Sequence, residues 1–142
     1  MILQYGVIPF RRGDEIEILL ITSRETKRWV VPRGNPMPGL SPPECAAQEA
    51  FEEAGVRGMV AGQPFGTYRY DKRRASGMTE EALVELFPMR VDEALDQWPE
   101  RTQRARCWFP WQEAAAAVAE EDLAALIRRF GETGVGPDGI SG

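Results

Sequence analysis

Ser41-Pro42-Pro43-Glu44-Cys45-Ala46-Ala47-Gln48-Glu49-Ala50-Phe51-Glu52-Glu53-Ala54-Gly55-Val56 is the stretch from which the fold can be read. Ser41 is an N-cap residue, proline stands at the first helical position, and Glu44 follows Ser41 by three residues as a capping-box partner. Gly55 is placed to end the helix in a left-handed conformation. Turned at about 100° per residue, residues 42–54 put Pro43, Ala47, Ala50, Phe51 and Ala54 on one side. Glu49, Glu52 and Glu53 fall together on the other side. The apolar side is made of small residues and one phenylalanine, which predicts a helix packed closely against a sheet.

Working outward, residues 32–43 are rich in Gly and Pro and predict a long ordered loop, a kind of segment that is usually functional. Before it, residues 2–10 and 15–21 read as strands joined at the turn Arg12-Gly13-Asp14, and Trp29-Val30-Val31 as a short third strand. After the helix, strand signals return at 56–61, 64–71, 82–91 and 106–109, with a polar interval at 73–79. Leu123, Leu126, Ile127 and Phe130 form the apolar stripe of a terminal helix. Strands, a helix, more strands and then helices predict an α+β fold, a mixed β-sheet packed between helices as an α/β/α sandwich. The chain is expected to be one domain over residues 1–134 with a flexible tail at 135–142, fraying from Gly131 onward.

The 142-residue chain has 43% hydrophobic and 27% charged residues, the balance of an ordinary globular protein. No apolar run approaches a membrane span and no secretory signal precedes the first strand, so no membrane association is expected. Cys45 and Cys107 read as two reduced thiols, and together these features predict a cytoplasmic protein. The net charge of −5 argues against general nucleic-acid binding but not against a small phosphorylated ligand. There is no histidine. Histidine triads, His-ligated zinc and histidine phosphotransfer are therefore excluded, and acid–base or metal chemistry must come from carboxylates.

Three carboxylates on one helical face repel one another. An acidic helix face is often only solvated surface, but this helix is short, capped, fed by a Gly/Pro-rich loop and free of Lys and Arg. A hard divalent cation, Mg²⁺ with Mn²⁺ as a substitute, is the natural remedy, since it takes oxygen ligands and retains waters and substrate phosphates.

Pro32-Arg33-Gly34, the loop, and Gln48-Glu49-Ala50-Phe51-Glu52-Glu53-Ala54-Gly55-Val56 together resemble the Nudix box, G-x5-E-x7-R-E-U-x-E-E-x-G-U with U aliphatic. Gly34, Glu49, Glu52, Glu53, Gly55 and Val56 match at the right spacing. Trp29 and the run Trp98-Pro99-Glu100 … Arg104 … Trp108-Phe109 are similar to the branch that includes diphosphoinositol polyphosphate phosphohydrolases. Two positions depart from the box: Leu40 replaces its first glutamate and Gln48 its arginine. In the family these two hold the metal-binding glutamates in place, and replacing both leaves no charge unpaired.

The resemblance implies a Nudix-like fold and a pyrophosphohydrolase. Glu49 and Glu53 would be principal metal ligands, Glu52 a further ligand or the base that receives a proton from the attacking water, and the Gly34 carbonyl a completing ligand. Glu52 and Glu53 would thus be the catalytic carboxylates. Arg33 is a candidate substrate-phosphate clamp, its fork suited to bidentate contacts. Glu85, an anomalous charge in an apolar strand, is a candidate extra metal ligand or a residue of a solvated edge, with Glu80 and Glu81 as weaker alternatives. Tyr68, Tyr70, Trp98 and Trp108 could stack on a base, although aromatics at strand ends are more often core or rim. The implied substrate is a nucleoside diphosphate derivative, a dinucleoside polyphosphate or a diphosphoinositol polyphosphate. The alternative is a catalytically silent binding or regulatory module, for which Leu40 and Gln48 are the support. Oligomeric state is left open, a homodimer included.

Overall fold

The computed structural model describes residues 1–133. In chain order its elements are β1 (Ile2–Arg12), β2 (Ile16–Thr22), β3 (Trp29–Val30), β4 (Arg33–Gly34), α1 (Pro42–Ala54), β5 (Val56–Val60), β6 (Gly66–Arg73), β7 (Thr79–Ala94), β8 (Arg106–Pro110), α2 (Trp111–Ala117) and α3 (Glu121–Thr133).

The strands form one mixed sheet. β1 and β2 make the expected hairpin, with Phe10 opposite Ile18 and Arg12 opposite Ile16. β7 organises the rest. It pairs in parallel with β1, from Ile2 opposite Ala82 to Phe10 opposite Arg90. Its other edge takes β6 along the first half and β5 along the second, both antiparallel. β3 and β8 add to β2, and β4 adds to β1 with Gly34 opposite Tyr5.

Because side chains alternate along a strand, neighbouring residues of β1 enter two separate cores. Val7 joins Leu19, Ile21, Phe87 and Met89 beneath Ala46, Ala50 and Ala54 of α1. Ile8 and Phe10 join Ile18, Leu20, Val84 and Leu86 beneath Leu123, Leu126, Ile127 and Phe130 of α3. The architecture is the predicted sandwich of the α+β class. Alanines at the α1 interface let that helix approach the sheet closely.

Four expectations need correction. The buried arc of α1 is turned from the predicted one: Cys45, Ala46, Ala50, Glu53 and Ala54 are buried, while Ala47 and Phe51 are half-buried. The helix leans so that Glu53, an expected outward carboxylate, faces protein. The loop expected at 32–43 contains β4, because Arg33 and Gly34 pair with the middle of β1. β7 runs on to Ala94, three residues beyond the predicted strand end at 91, and begins three residues earlier, at Thr79. Gly131 does not begin a frayed tail but lies inside α3, where a side chain would collide with the Trp111 ring. The tail expected at 135–142 lies outside the described residues.

Candidate active site

The caps read from the sequence hold α1 at both ends. Ser41 Oγ accepts from the Glu44 N–H at 3.3 Å, and Glu44 Oε1 accepts from the Ser41 N–H at 2.8 Å. Gly55 closes the helix at φ 66° and ψ 35°, and a side chain there would run into Trp98. The carbonyls left over at a helix C-terminus need partners from elsewhere. Residues 95–106 supply them. Trp98 Nε1 donates to the Glu53 carbonyl at 3.2 Å and the Glu100 N–H donates to the Glu52 carbonyl at 3.0 Å. Arg106 donates to the Ala54 carbonyl at 2.9 Å and to that of Leu95 at 2.6 Å, its guanidinium 4.0 Å from the Trp98 ring centre.

This clamp fixes two carboxylates over β4. Glu49 lies directly against Gly34, where any Cβ would occupy the position of its carboxylate, so only glycine lets the loop backbone and Glu49 meet. Glu53 is 8% exposed. Its Oε1 accepts from the Arg33 N–H at 3.3 Å and its Oε2 stands 3.8 Å from the Arg104 guanidinium. Burial, and then the hydrogen bond with Glu49, push the Glu53 carboxyl up to about 9, against the opposing charge of Arg104. Burial also raises Glu49. Two such carboxylates, side by side and partly desolvated, share a proton in the absence of a cation.

Both line a cleft of about 1220 Å³ with Gly34 and, on the same wall, Glu100 and Arg104. Arg104 Nε donates to Glu100 Oε1 at 2.8 Å and its Nη1 to the Thr22 carbonyl at 3.1 Å. The facing wall comes from β1 and β6. Tyr70 donates to Gln4 Oε1 at 2.6 Å, and Gln4 Nε2 donates to Asn35 Oδ1 at 3.0 Å, which also receives Lys72 Nζ at 3.5 Å. The Arg33 guanidinium lies 3.8 Å from the Tyr70 ring centre. Burial disfavours its charge, but Tyr68, Tyr70 and Glu53 outweigh that, and its pKa lies above the ordinary value. Arg33 is thus a permanently charged group on a fixed platform.

Of the site residues predicted from sequence, Gly34, Glu49, Glu53 and Arg33 come together in the cleft. Glu52 and Glu85 are not among its lining residues. Glu52 is turned aside, its Oε2 accepting from Gln48 Nε2 at 2.6 Å. Glu85 is half-buried on β7 opposite Tyr5 and Thr67, on the face that carries Phe87 into the α1 core. Glu80 is ion-paired to Arg74 and, at 3.7 Å, to the N-terminus, and Glu81 to Arg69 at 2.8 Å; both are surface pairs. Tyr70 stacks on Arg33, Trp98 packs on Gly55 and Trp108 carries Arg11 at 4.2 Å.

Sequence reasoning assigned no role to Glu100, Arg104, Gln4 or Lys72. Glu100 and Arg104 carried a signal, since they sit four apart in the segment singled out after Trp98. Gln4 carried the same signal as Glu85, a polar residue inside an apolar strand.

Among the described residues no three His, Cys, Asp or Glu side chains converge to hold a metal ion. The Glu49–Glu53 pair against the Gly34 backbone nevertheless fits Mg²⁺, which is commonly bound by one or two carboxylates, with waters and substrate phosphates filling the remaining positions. The donors are hard oxygens, and the raised carboxyl pKa values mark a place where positive charge is wanted. Among the described residues, no helix is long and apolar enough to cross a membrane.

Comparison with known proteins gives the same outline. A family model described as NUDIX domain matches residues 3–130. The chain is 34% identical over 137 residues to the mitochondrial Nudix hydrolase 18 of Arabidopsis thaliana, covering 88% of this chain and 76% of that protein. It is 33% identical over 108 residues to diphosphoinositol polyphosphate phosphohydrolase 3-alpha of Mus musculus, covering 74% of this chain and 62% of that one. In fold it is similar to a C. elegans Ap4A hydrolase solved as a binary complex, with a TM-score of 0.71, 20% identity, and coverage of 94% and 97%.

Proposed function

The chain belongs to the Nudix family of hydrolases, and from that premise we propose that it is a Mg²⁺-dependent enzyme that hydrolyses a phosphoanhydride bond. The substrate is a nucleoside diphosphate derivative, a dinucleoside polyphosphate or a diphosphoinositol polyphosphate. The observation that carries the proposal is the placing of the Glu49 and Glu53 carboxylates against Gly34 in a cleft that also holds Arg33 and Lys72.

Glu49, Glu53 and the Gly34 carbonyl would hold the ion. When bound, Mg²⁺ polarises a phosphoryl oxygen and makes water a better nucleophile. The chain's own groups do the rest. Arg33 and Lys72 line the same cleft as the carboxylates and would bind the negative charge that spreads over phosphoryl oxygens during transfer. Tyr70 presets the Arg33 fork, so little orientation is lost on binding. In the metal-free protein Glu53 holds a proton, its affinity raised by Glu49 and lowered by Arg104, and that proton would be released when the ion binds. Glu100 supplies a carboxylate from outside the box on the same wall, a role the sequence had offered to Glu85. Glu52 joins the site only if its bond to Gln48 yields.

Leu40 and Gln48 do not dismantle this arrangement. Gln48 replaces an arginine yet still binds a box glutamate, Glu52, and the clamp from residues 95–106 takes over much of the bracing. The unpaired thiols Cys45 and Cys107 support a cytoplasmic location within the same proposal.

The deciding experiment is a phosphate-release assay on one representative of each substrate class, with and without Mg²⁺. Turnover that depends on Mg²⁺ is expected for at least one class. Metal binding without turnover on all three classes would instead make the chain a silent module.

A further inference from the structure

One polar feature of the cleft is left over by the hydrolase reading. Residues 118–120 form the strap between α2 and α3, and the strap runs along the cleft because Val118 bridges Trp29 in parallel. Glu120, its last residue, lines the cleft together with Glu49, Glu53 and Arg33. Its Oε1 is shut off from solvent and has no hydrogen-bond donor. The Tyr68 hydroxyl shows the same deficiency. The two are electrostatic neighbours: burial above all, Arg33 in the opposite sense, and then the charge of Glu120 set the proton affinity of that hydroxyl.

A desolvated carboxylate oxygen without a donor is costly, and native structures keep such atoms where a ligand or water completes them. Glu120 also stands just ahead of α3, its carbonyl accepting from the Ala124 N–H at 3.0 Å. The charge balance of the cleft adds an independent constraint. Its lining holds six cationic and six acidic side chains. A ligand bearing phosphates all around would require a surplus of positive charge. A ligand with phosphates at one end and neutral hydrogen-bond donors at the other suits this lining.

We propose that Glu120, backed by Tyr68, is a specificity-determining residue that accepts hydrogen bonds from the non-hydrolysed part of a nucleoside polyphosphate, through ribose hydroxyls or a base amino group. The inference rests on the hydrolase reading and narrows it. A fully phosphorylated ring offers no donor and brings like charge to Glu120, so it is disfavoured. Arg33 and Lys72 take the phosphate end, and Glu120 takes the neutral end.

The test uses the full chain with Mg²⁺, a dinucleoside polyphosphate and a diphosphoinositol polyphosphate, with Glu120→Ala and Glu120→Gln as variants whose folding is checked by thermal melting. Wild type is expected to favour the dinucleoside substrate in kcat/KM. Glu120→Ala is expected to raise KM for that substrate about tenfold with kcat nearly unchanged, as loss of uniform binding does. Glu120→Gln keeps an acceptor, so it should recover part of that loss while lowering KM for the inositol compound by removing repulsion. Unchanged KM values in Glu120→Ala overturn the proposal, as does an equal fall in kcat for both substrates or a wild-type preference for the inositol compound. Calorimetric affinity for adenosine diphosphate, measured on wild type and both variants, separates the two claims. Absent turnover with an affinity that still falls about tenfold in Glu120→Ala sinks the hydrolase reading and keeps this one. Active enzyme with unchanged affinity does the reverse.

Discussion

The two walls of the cleft are built in different ways. One wall is local: Gly34, Glu49, Glu53 and their caps come from about twenty consecutive residues, with Trp98, Glu100, Arg104 and Arg106 added as a clamp. The other wall is assembled from Gln4 on β1, Tyr70 and Lys72 on β6 and Glu120 on the strap before α3, which meet because β7 pairs with both β1 and β6 and because Val118 bridges Trp29. The local wall is dominated by desolvated carboxylates, and the assembled wall by hydrogen bonds and a stacked guanidinium. The difference suggests a division of labour: the first wall sets the reaction and the second sets what is bound. Substitutions on the first wall should therefore act mainly on kcat and metal response, and those on the second mainly on KM.

The strongest test of that division is Glu53→Gln. It keeps the shape of the side chain and removes the charge, and kcat is expected to fall about 10²–10³-fold, the scale on which loss of one preorganised electrostatic group acts. The rise in melting temperature caused by Mg²⁺ should shrink in parallel. A variant with kcat within a few-fold of wild type would place the chemistry elsewhere.

Stability against pH, measured without divalent cations, comes next. The folded-state pKa of Glu53 is raised to about 9 from an ordinary 4.5. The native state therefore binds this proton more tightly than the unfolded chain. The associated stability is fully present below the ordinary value and is lost as pH rises through about 9. Glu49 and Glu100 act in the same direction and Arg104 against it. The melting temperature of the metal-free protein should accordingly fall between about pH 5 and pH 9. Mg²⁺ should restore it most at the alkaline end, and Glu53→Gln should flatten the slope. A metal-free protein most stable at pH 9 would contradict the arrangement.

Trp98→Ala tests whether the clamp matters to the local wall. The ring covers Gly55, carries Arg106 and donates to the Glu53 carbonyl. Removing it is expected to cost about 3 kcal/mol in urea denaturation, the low end for a large aromatic because Trp98 is half-buried. Catalysis should fall as well, since the end of α1 that bears Glu53 loses its partners. Loss of stability with full kcat would separate the clamp from the site.

The local wall was the legible one. Capping signals, the left-handed glycine and the glutamate spacing all lie within one helix, where the helical period converts sequence distance into spatial distance. The two-core sandwich was legible for a similar reason, because strand alternation and the stripe at Leu123, Leu126, Ile127 and Phe130 each declare a buried face. The orientation of α1 was not: Glu53 is buried because Arg33 and Arg104 meet it, and neither contact follows from periodicity. Glu85 illustrates the same limit. A charge in an apolar strand signals something, but β7 is apolar on both faces, so its own pattern does not tell which core Glu85 adjoins. Gln4 gave an equivalent signal and, being on the opposite face, reached the cleft. Gly131 looked like a helix end because glycine is a poor helix former, whereas here its missing side chain makes room for Trp111.

The smallest expected effect belongs to Gln48→Ala, and it bears on the least local part of the local wall. In the box, this position carries an arginine paired with a glutamate, where Leu40 now stands. Leu40 is 40% exposed and lines a shallow groove with Phe51 and Met89; the charges there, Glu44 and Arg57, are met by the Ser41 N–H and the Phe51 ring, so neither needs Gln48. Its amide instead holds Glu52 through one partly exposed hydrogen bond. Deleting that bond should change stability by no more than about 0.5 kcal/mol, as i,i+4 pairs on a helix do. If Glu49 and Glu53 suffice for the metal, kcat should also stay within about twofold, a barrier change below about 0.5 kcal/mol. A tenfold change in kcat in either direction would mean that Glu52 takes part in the reaction and that Gln48 governs its release. The carboxylate set would then be three, with one of its members held in reserve by the residue that replaced the arginine.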